Sequence, residues 1–89
     1  MGKTVGIILL SYDVDKSHTQ VKNALIDLEY LEKFKNTNDP KTYTLPNTTL
    51  WHQSKSSNQA INDLKNTCNN LNVTLEKAVA VKATEFVGV

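Results

Sequence analysis

Asp13 and Asp15 stand two residues apart, where the apolar run over residues 4–12 gives way to polar chain. If the backbone stays extended there, both carboxylates face the same way and can share a hard cation such as Mg²⁺. Such an ion needs only one or two protein carboxylates when a substrate phosphate completes its shell. His18 follows closely in sequence. A histidine with a suitably tuned pKa can act as general base toward a ribose hydroxyl. One reading therefore takes Asp13 and Asp15 as metal ligands, with Asp13 and His18 as the catalytic groups. The competing reading makes Asp15 a turn or cap residue, Asp13 a solvated strand end and His18 an exposed residue following the cap.

Two aromatic residues could also carry function. On an open sheet face Trp51 can stack a base, or it can anchor a protein interface. Tyr43 takes that place if the strand register differs. His52, next to Trp51 near a strand end, has the same ambiguity as His18. Cys68 lies on the apolar stripe of a helix, which marks it as a small buried hydrophobe rather than a nucleophile. His18, His52 and Cys68 are too scattered for a zinc site. Gly2-Lys3-Thr4 echoes the end of a phosphate-binding loop, but the upstream glycine and strand are missing.

Composition narrows the classes. The 89 residues suit a single domain over 1–89 of modest stability. One cysteine allows no intrachain disulfide. The longest apolar run is far short of the ~20 residues that span a bilayer, and no signal peptide is evident, so the expectation is a cytoplasmic protein without a membrane partner. All 10 basic residues are lysines, against 9 acids, for a net charge of +1. A chain without arginine lacks the bidentate fork for phosphate or guanine. Near neutrality also removes the broad positive field that drives non-specific nucleic-acid binding.

The elements that must position these residues follow from hydrophobic spacing. Residues 4–12 form a nearly continuous apolar stretch with β-branched residues on both faces, which suggests an interior strand covered on two sides. Ser17-His18-Thr19-Gln20 fits a capping box, and Val21, Ala24, Leu25, Leu28, Leu31 and Phe34 recur at helical spacing to about Lys35. Residues 36–40 end that helix before Pro40. Residues 42–45 and 48–53 read as strands. Pro46 disfavours a tight hairpin between them, so a wider loop is expected and the register stays open. Ser56-Ser57-Asn58-Gln59 offers a second capping box, followed by Ile61, Leu64, Cys68 and Leu71 at helical steps. Asn69, Asn70 and Asn72 suit a helix end. Residues 73–75 and 78–83 read as β-structure, with Val79 and Val81 on one face and alanines on the other. Residues 85–89 continue it as an extra edge strand or a tail.

The order is strand, helix, two strands, helix, then one or two strands, and each half repeats a strand followed by a Ser-x-x-Gln helix. That is an α+β, ferredoxin-like βαββαβ arrangement: an antiparallel sheet with two helices on one face and an extra C-terminal edge strand as an option. The other face is then bare and apolar, which points to a homodimer.

The first strand ending in Tyr12-Asp13-Val14, the helix after it, the central strand pair, the second helix and the closing strands resemble the small CRISPR adaptation-subunit family. The layout is also similar to virulence-associated protein D and to the antitoxin ribonuclease of type V toxin–antitoxin systems. The resemblance covers nearly all of the chain in layout and three residues in motif. It implies a ferredoxin-like homodimer and, as in several members, a metal-dependent endoribonuclease using the aspartate at the end of the first strand, here Asp13. The family's arginine after the first strand is missing here, and Lys16 can only partly stand in for it, as a point charge.

Two functional classes follow. One is a homodimeric nucleic-acid-associated protein, a metal-dependent endoribonuclease acting on single-stranded RNA. The other is a non-catalytic regulatory or protein-interaction module that assembles through its open sheet face. A small-ligand binder, using the cleft between sheet and helices, is neither supported nor excluded by the sequence.

Overall fold

The computed structural model describes residues 5–35 and 42–83. It is an α+β structure with two helices and a mostly antiparallel sheet, compatible with a ferredoxin-like arrangement. The elements are β1 (Gly6–Val14), α1 (His18–Asp27), β2 (Lys33–Lys35), β3 (Thr42–Thr44), β4 (Thr49–Lys55), α2 (Ser57–Asn70) and β5 (Leu75–Lys82). The sequence features assigned to Gly2-Lys3-Thr4, residues 36–40 and residues 85–89 lie outside the described residues.

β1 is the central strand of a three-stranded sheet ordered β4-β1-β5, antiparallel on both sides. Its side chains alternate as a pleat requires. Ile8, Leu10, Tyr12 and Val14 point into the core, and Ile7, Leu9, Ser11 and Asp13 point the other way. β4 adds Leu50 and His52 to the inner side. Against this face pack Val21 and Leu25 of α1 and Ala60, Leu64, Thr67 and Cys68 of α2. Ile8, Leu10, Leu25, Leu50 and Leu64 are fully buried, each contributing about 1.5–3 kcal/mol of transfer free energy. β1 is thus interior by pairing. Contrary to the expectation from its composition, only one of its faces is covered by the described residues.

The first helix is shorter than its apolar periodicity predicts. It ends at Asp27, because Glu29 turns into the left-handed region at φ 74° and the chain folds back on itself. The amides of Leu28 and Tyr30 both donate to the Leu25 carbonyl, at 2.9 and 3.1 Å. This turn sends the Tyr30 ring into the core, fully buried, where helical continuation would have left Leu28 in its place. Leu31 then exchanges backbone hydrogen bonds with Trp51, and Lys33–Lys35 becomes strand.

The two capping boxes part company. At α2 both bonds form: the Gln59 amide donates to Ser56 Oγ at 3.1 Å, and the Ser56 amide donates to Gln59 Oε1 at 2.9 Å. At α1 the box is absent. Ser17 sits at φ 59°, ψ 38°, and from this left-handed position its hydroxyl makes no cap bond. Only its carbonyl takes part, accepting from the Val21 amide at 3.0 Å. Asn72, at φ 56°, supplies the left-handed residue expected after the second helix.

Residues 42–44 and 49–55 are strands but do not pair with each other. β3 pairs with β2 as a separate two-stranded ribbon, Phe34 opposite Tyr43 with their rings stacked at 5.7 Å. β4 pairs with β1. Between them the Thr49 amide donates to the Pro46 carbonyl at 2.9 Å, a wider turn that suits the fixed φ of proline.

Candidate functional site

The outward face of the three-stranded sheet is laid out in rows by the register. Trp51, Leu9 and Val81 stand side by side across β4, β1 and β5. Thr49, Ser11 and Val79 form the next row, with Ser11 and Thr49 hydroxyls 3.4 Å apart. Asp13 and Lys77 close the series. Ile7 is 36% exposed, Val81 46% and Val79 56%, so the face is apolar and open along most of its length. No helix covers it among the described residues.

Trp51 belongs to this face, and Tyr43 does not: it lies on the ribbon against Phe34. The indole is held in place. Its Nε1–H donates to the Lys33 carbonyl at 2.7 Å, while the Trp51 backbone bonds Leu31. The ring is half-buried at the border between the sheet and the ribbon.

Asp13 is exposed at the far end of β1, directly opposite Lys77. A shallow depression of about 310 Å³ over Ser11, Asp13, Lys77 and Val79 runs along this end. Asp15 does a different job. Its Oδ1 accepts from the Thr74 amide at 3.0 Å, and its own amide donates to the Thr74 carbonyl at 3.2 Å. Together these bonds tie the end of β1 to the start of β5. His18 opens α1 and is exposed. Among the described residues no group of three or more His, Cys, Asp or Glu is arranged to hold a metal ion. No described helix is long and apolar enough to cross a membrane.

On the opposite side of the sheet a polar cluster went unread in the sequence. The buried Tyr30 hydroxyl donates to Asp63 Oδ2 at 2.8 Å, and Lys55 Nζ lies 2.9 Å from the same oxygen. The His52 ring meets Tyr30 edge-on at 4.9 Å, and its Nδ1 accepts from the Ser54 amide at 3.0 Å. Burial, reinforced by the bond to Asp63, pushes the Tyr30 phenol above its ordinary range. Tyr30 holds its proton and serves as a donor that pins the chain after α1 to α2. Its signal in the sequence was position: a step of five from Leu25 falls off the helical stripe.

Tyr12 and Cys68 are buried neighbours under the sheet. Burial, and secondarily the nearby Cys68, raises Tyr12 to about 12, and its hydroxyl has no hydrogen-bond partner among the described residues. Burial likewise raises the Cys68 thiol, with Asp15 adding to the effect, so the sulfur stays protonated. That agrees with its place on the apolar stripe.

No protein family, curated protein or solved structure matches the chain.

Proposed function

We propose that this chain is a non-catalytic protein-interaction module of ferredoxin-like βαββαβ topology, and that it assembles as a homodimer through its open sheet face. The topology reading is supported by the Leu31–Trp51 bridge, which sets the chain after α1 beside β4 and gives the order β5, β1, β4, Leu31. In this reading the β2–β3 ribbon is an excursion from the connection between the two central strands.

The single observation that carries the function is the row pattern of the face: Trp51–Leu9–Val81, Thr49–Ser11–Val79 and Asp13–Lys77. Apolar rows of this kind, left exposed in so small a protein, call for a partner. The charged row selects a second copy as that partner. A two-fold axis running along the strands between β1 and β5 lays β1 of one copy over β5 of the other. Asp13 then faces Lys77 of the second copy, and Leu9 faces its Val81, so acid meets base twice while the apolar rows stack.

The test is molecular mass in solution by light scattering at micromolar concentration. Wild type should be dimeric or larger, and Leu9→Lys should lower the mass by placing two unpaired ammonium groups in the contact. A wild-type monomer would sink the proposal.

A second reading rests on the exposed Asp13 carboxylate beside Lys77, over the shallow depression. There a cytoplasmic, nucleic-acid-associated homodimer would be a metal-dependent endoribonuclease, with Asp13 and Asp15 holding Mg²⁺ and His18 as the base toward single-stranded RNA. Mg²⁺ would supply Lewis-acid stabilisation of phosphate charge. Labelled RNA incubated with wild type and Asp13→Ala, with Mg²⁺ and with chelator, decides it: cleavage that needs both Asp13 and Mg²⁺ supports the ribonuclease, and absence of cleavage leaves the interaction module.

A further inference from the structure

β5 lies at the edge of its sheet, and among the described residues no strand pairs along its outer side. An edge of this length offers a row of free N–H and C=O groups. The hydrogen-bond phase shows which residues own them. The Tyr12 amide donates to the Thr48 carbonyl, so the even-numbered residues of β1 bond toward β4. The Ala83 amide donates to the Ile7 carbonyl at 2.8 Å, so the odd-numbered residues of β1 bond toward β5. The partners in β5, namely Lys77, Val79 and Val81, are therefore bonded inward. The backbone groups of Ala78, Ala80 and Lys82 point outward, while Glu76 is the extra residue at the register shift between Lys77 and Leu75.

We propose that this edge is self-complementary and pairs antiparallel with β5 of a second copy across a two-fold axis at Val79. The phase admits only registers in which even-numbered residues bond even-numbered residues. Centring on Val79 satisfies it: Ala78 exchanges bonds with Ala80 of the second copy, and Val79 meets Val79. The same register sets Lys77 opposite Val81 of the second copy and so brings Glu76, the next residue, beside Lys82 of that copy, twice, by symmetry. Shifting the centre to Ala78 or Ala80 keeps the bonding phase but loses that pairing of opposite charges, so charge selects one register among those the backbone allows. Glu76 and Lys82 are both exposed, and neither has an ion-pair partner among the described residues. Lysine on an edge strand ordinarily discourages pairing, but here each Lys82 meets an acid. The register shift leaves the stretch from Lys77 to Lys82 regularly paired on β1 and makes Glu76, exposed beside it, the residue without a partner on β1.

This contact is independent of the open-face one. Its axis runs perpendicular to the sheet, whereas the open-face axis lies parallel to it, so formation of both gives a particle larger than a dimer.

Sedimentation equilibrium of wild type, Glu76→Lys, the swapped pair Glu76→Lys/Lys82→Glu, and Leu9→Lys separates the two contacts. Wild type is expected to exceed a dimer. Glu76→Lys should weaken the edge association by about tenfold or more, leaving dimers, and the swapped pair should restore the wild-type mass. Leu9→Lys should also leave dimers, now joined by the edge alone. If the open-face contact fails by itself, wild type is a dimer that Leu9→Lys does not change and Glu76→Lys dissociates, which upholds the edge. A wild-type mass that Glu76→Lys does not alter, monomer or dimer, overturns the edge contact, and a swapped pair that fails to restore the mass overturns the register.

Discussion

Leu31 and Trp51 exchange both backbone hydrogen bonds, at 2.7 and 2.9 Å, although neither neighbour of Leu31 belongs to the same ladder. This bridge helps to join the ribbon of β2 and β3 to the three-stranded sheet. It also fixes where the indole lies, because the next turn of chain brings the Lys33 carbonyl to Trp51 Nε1 at 2.7 Å. A residue of the apolar face is thus held by the element beside it.

Trp51→Phe keeps the backbone bridge and removes the indole donor. It is expected to cost about 1 kcal/mol, the net worth of one hydrogen bond, measured by urea denaturation. A loss within error would mean that the indole bond does not help to hold the ribbon.

The two serine caps predict opposite outcomes from similar motifs. Ser56→Ala breaks a formed capping box and should lower stability by about 1 kcal/mol. Ser17→Gly should raise it by about 0.5–1 kcal/mol, since glycine accepts the left-handed φ of 59° at no steric cost and no cap bond is lost. A destabilised Ser17→Gly would show that the hydroxyl is bonded after all.

These caps show how far the sequence could be read. The second box, its helix, the left-handed Asn72 and the alternation of Val79 and Val81 against alanines were legible because each depends on nearest neighbours along the chain. The first box was not, since the tie between Asp15 and Thr74 is a contact across the molecule and precedes the turn at Ser17. Leu28, Leu31 and Phe34 kept helical spacing, yet Tyr30 had a better place: a buried site with a carboxylate at its hydroxyl and an edge-on histidine. Tertiary contacts overrode periodicity there. Asp13 and Trp51 stood out in the sequence by their positions, at a strand end and in a strand. Which face Trp51 joins needed the register, and the pairing of β3 with β2 rather than β4 was hidden by the loop between them.

The two buried tyrosines should answer differently to loss of their hydroxyls. Tyr12 carries one with no partner among the described residues, so Tyr12→Phe should raise stability by about 1 kcal/mol or more. Tyr30→Phe removes a bond to an ionised carboxylate and should lower it by about 1.5–3 kcal/mol. Thermal or urea unfolding at neutral pH checks both signs.

Both phenols are raised by burial above the ordinary value near 10. A group that keeps its proton more tightly in the folded chain contributes stability that is fully present below its unfolded pKa and is lost as pH rises toward the folded one. Stability should therefore be flat on this account up to about pH 10 and fall between 10 and about 12. Tyr12→Phe should make that alkaline fall shallower. An unchanged slope would remove Tyr12 from its cause.

The central claim, that the open sheet face is covered by a second copy, is tested most directly by the fluorescence of Trp51, the single tryptophan of the chain. Its half-buried ring borders the Leu9–Val81 pair over which the second copy is laid, next to the copy's own Val81. Dilution of wild type through the micromolar range should shift the emission to longer wavelength as the copies part and water reaches the ring, and Leu9→Lys should give the shifted spectrum at every concentration. Emission that stays constant on dilution and is the same in Leu9→Lys would contradict the claim.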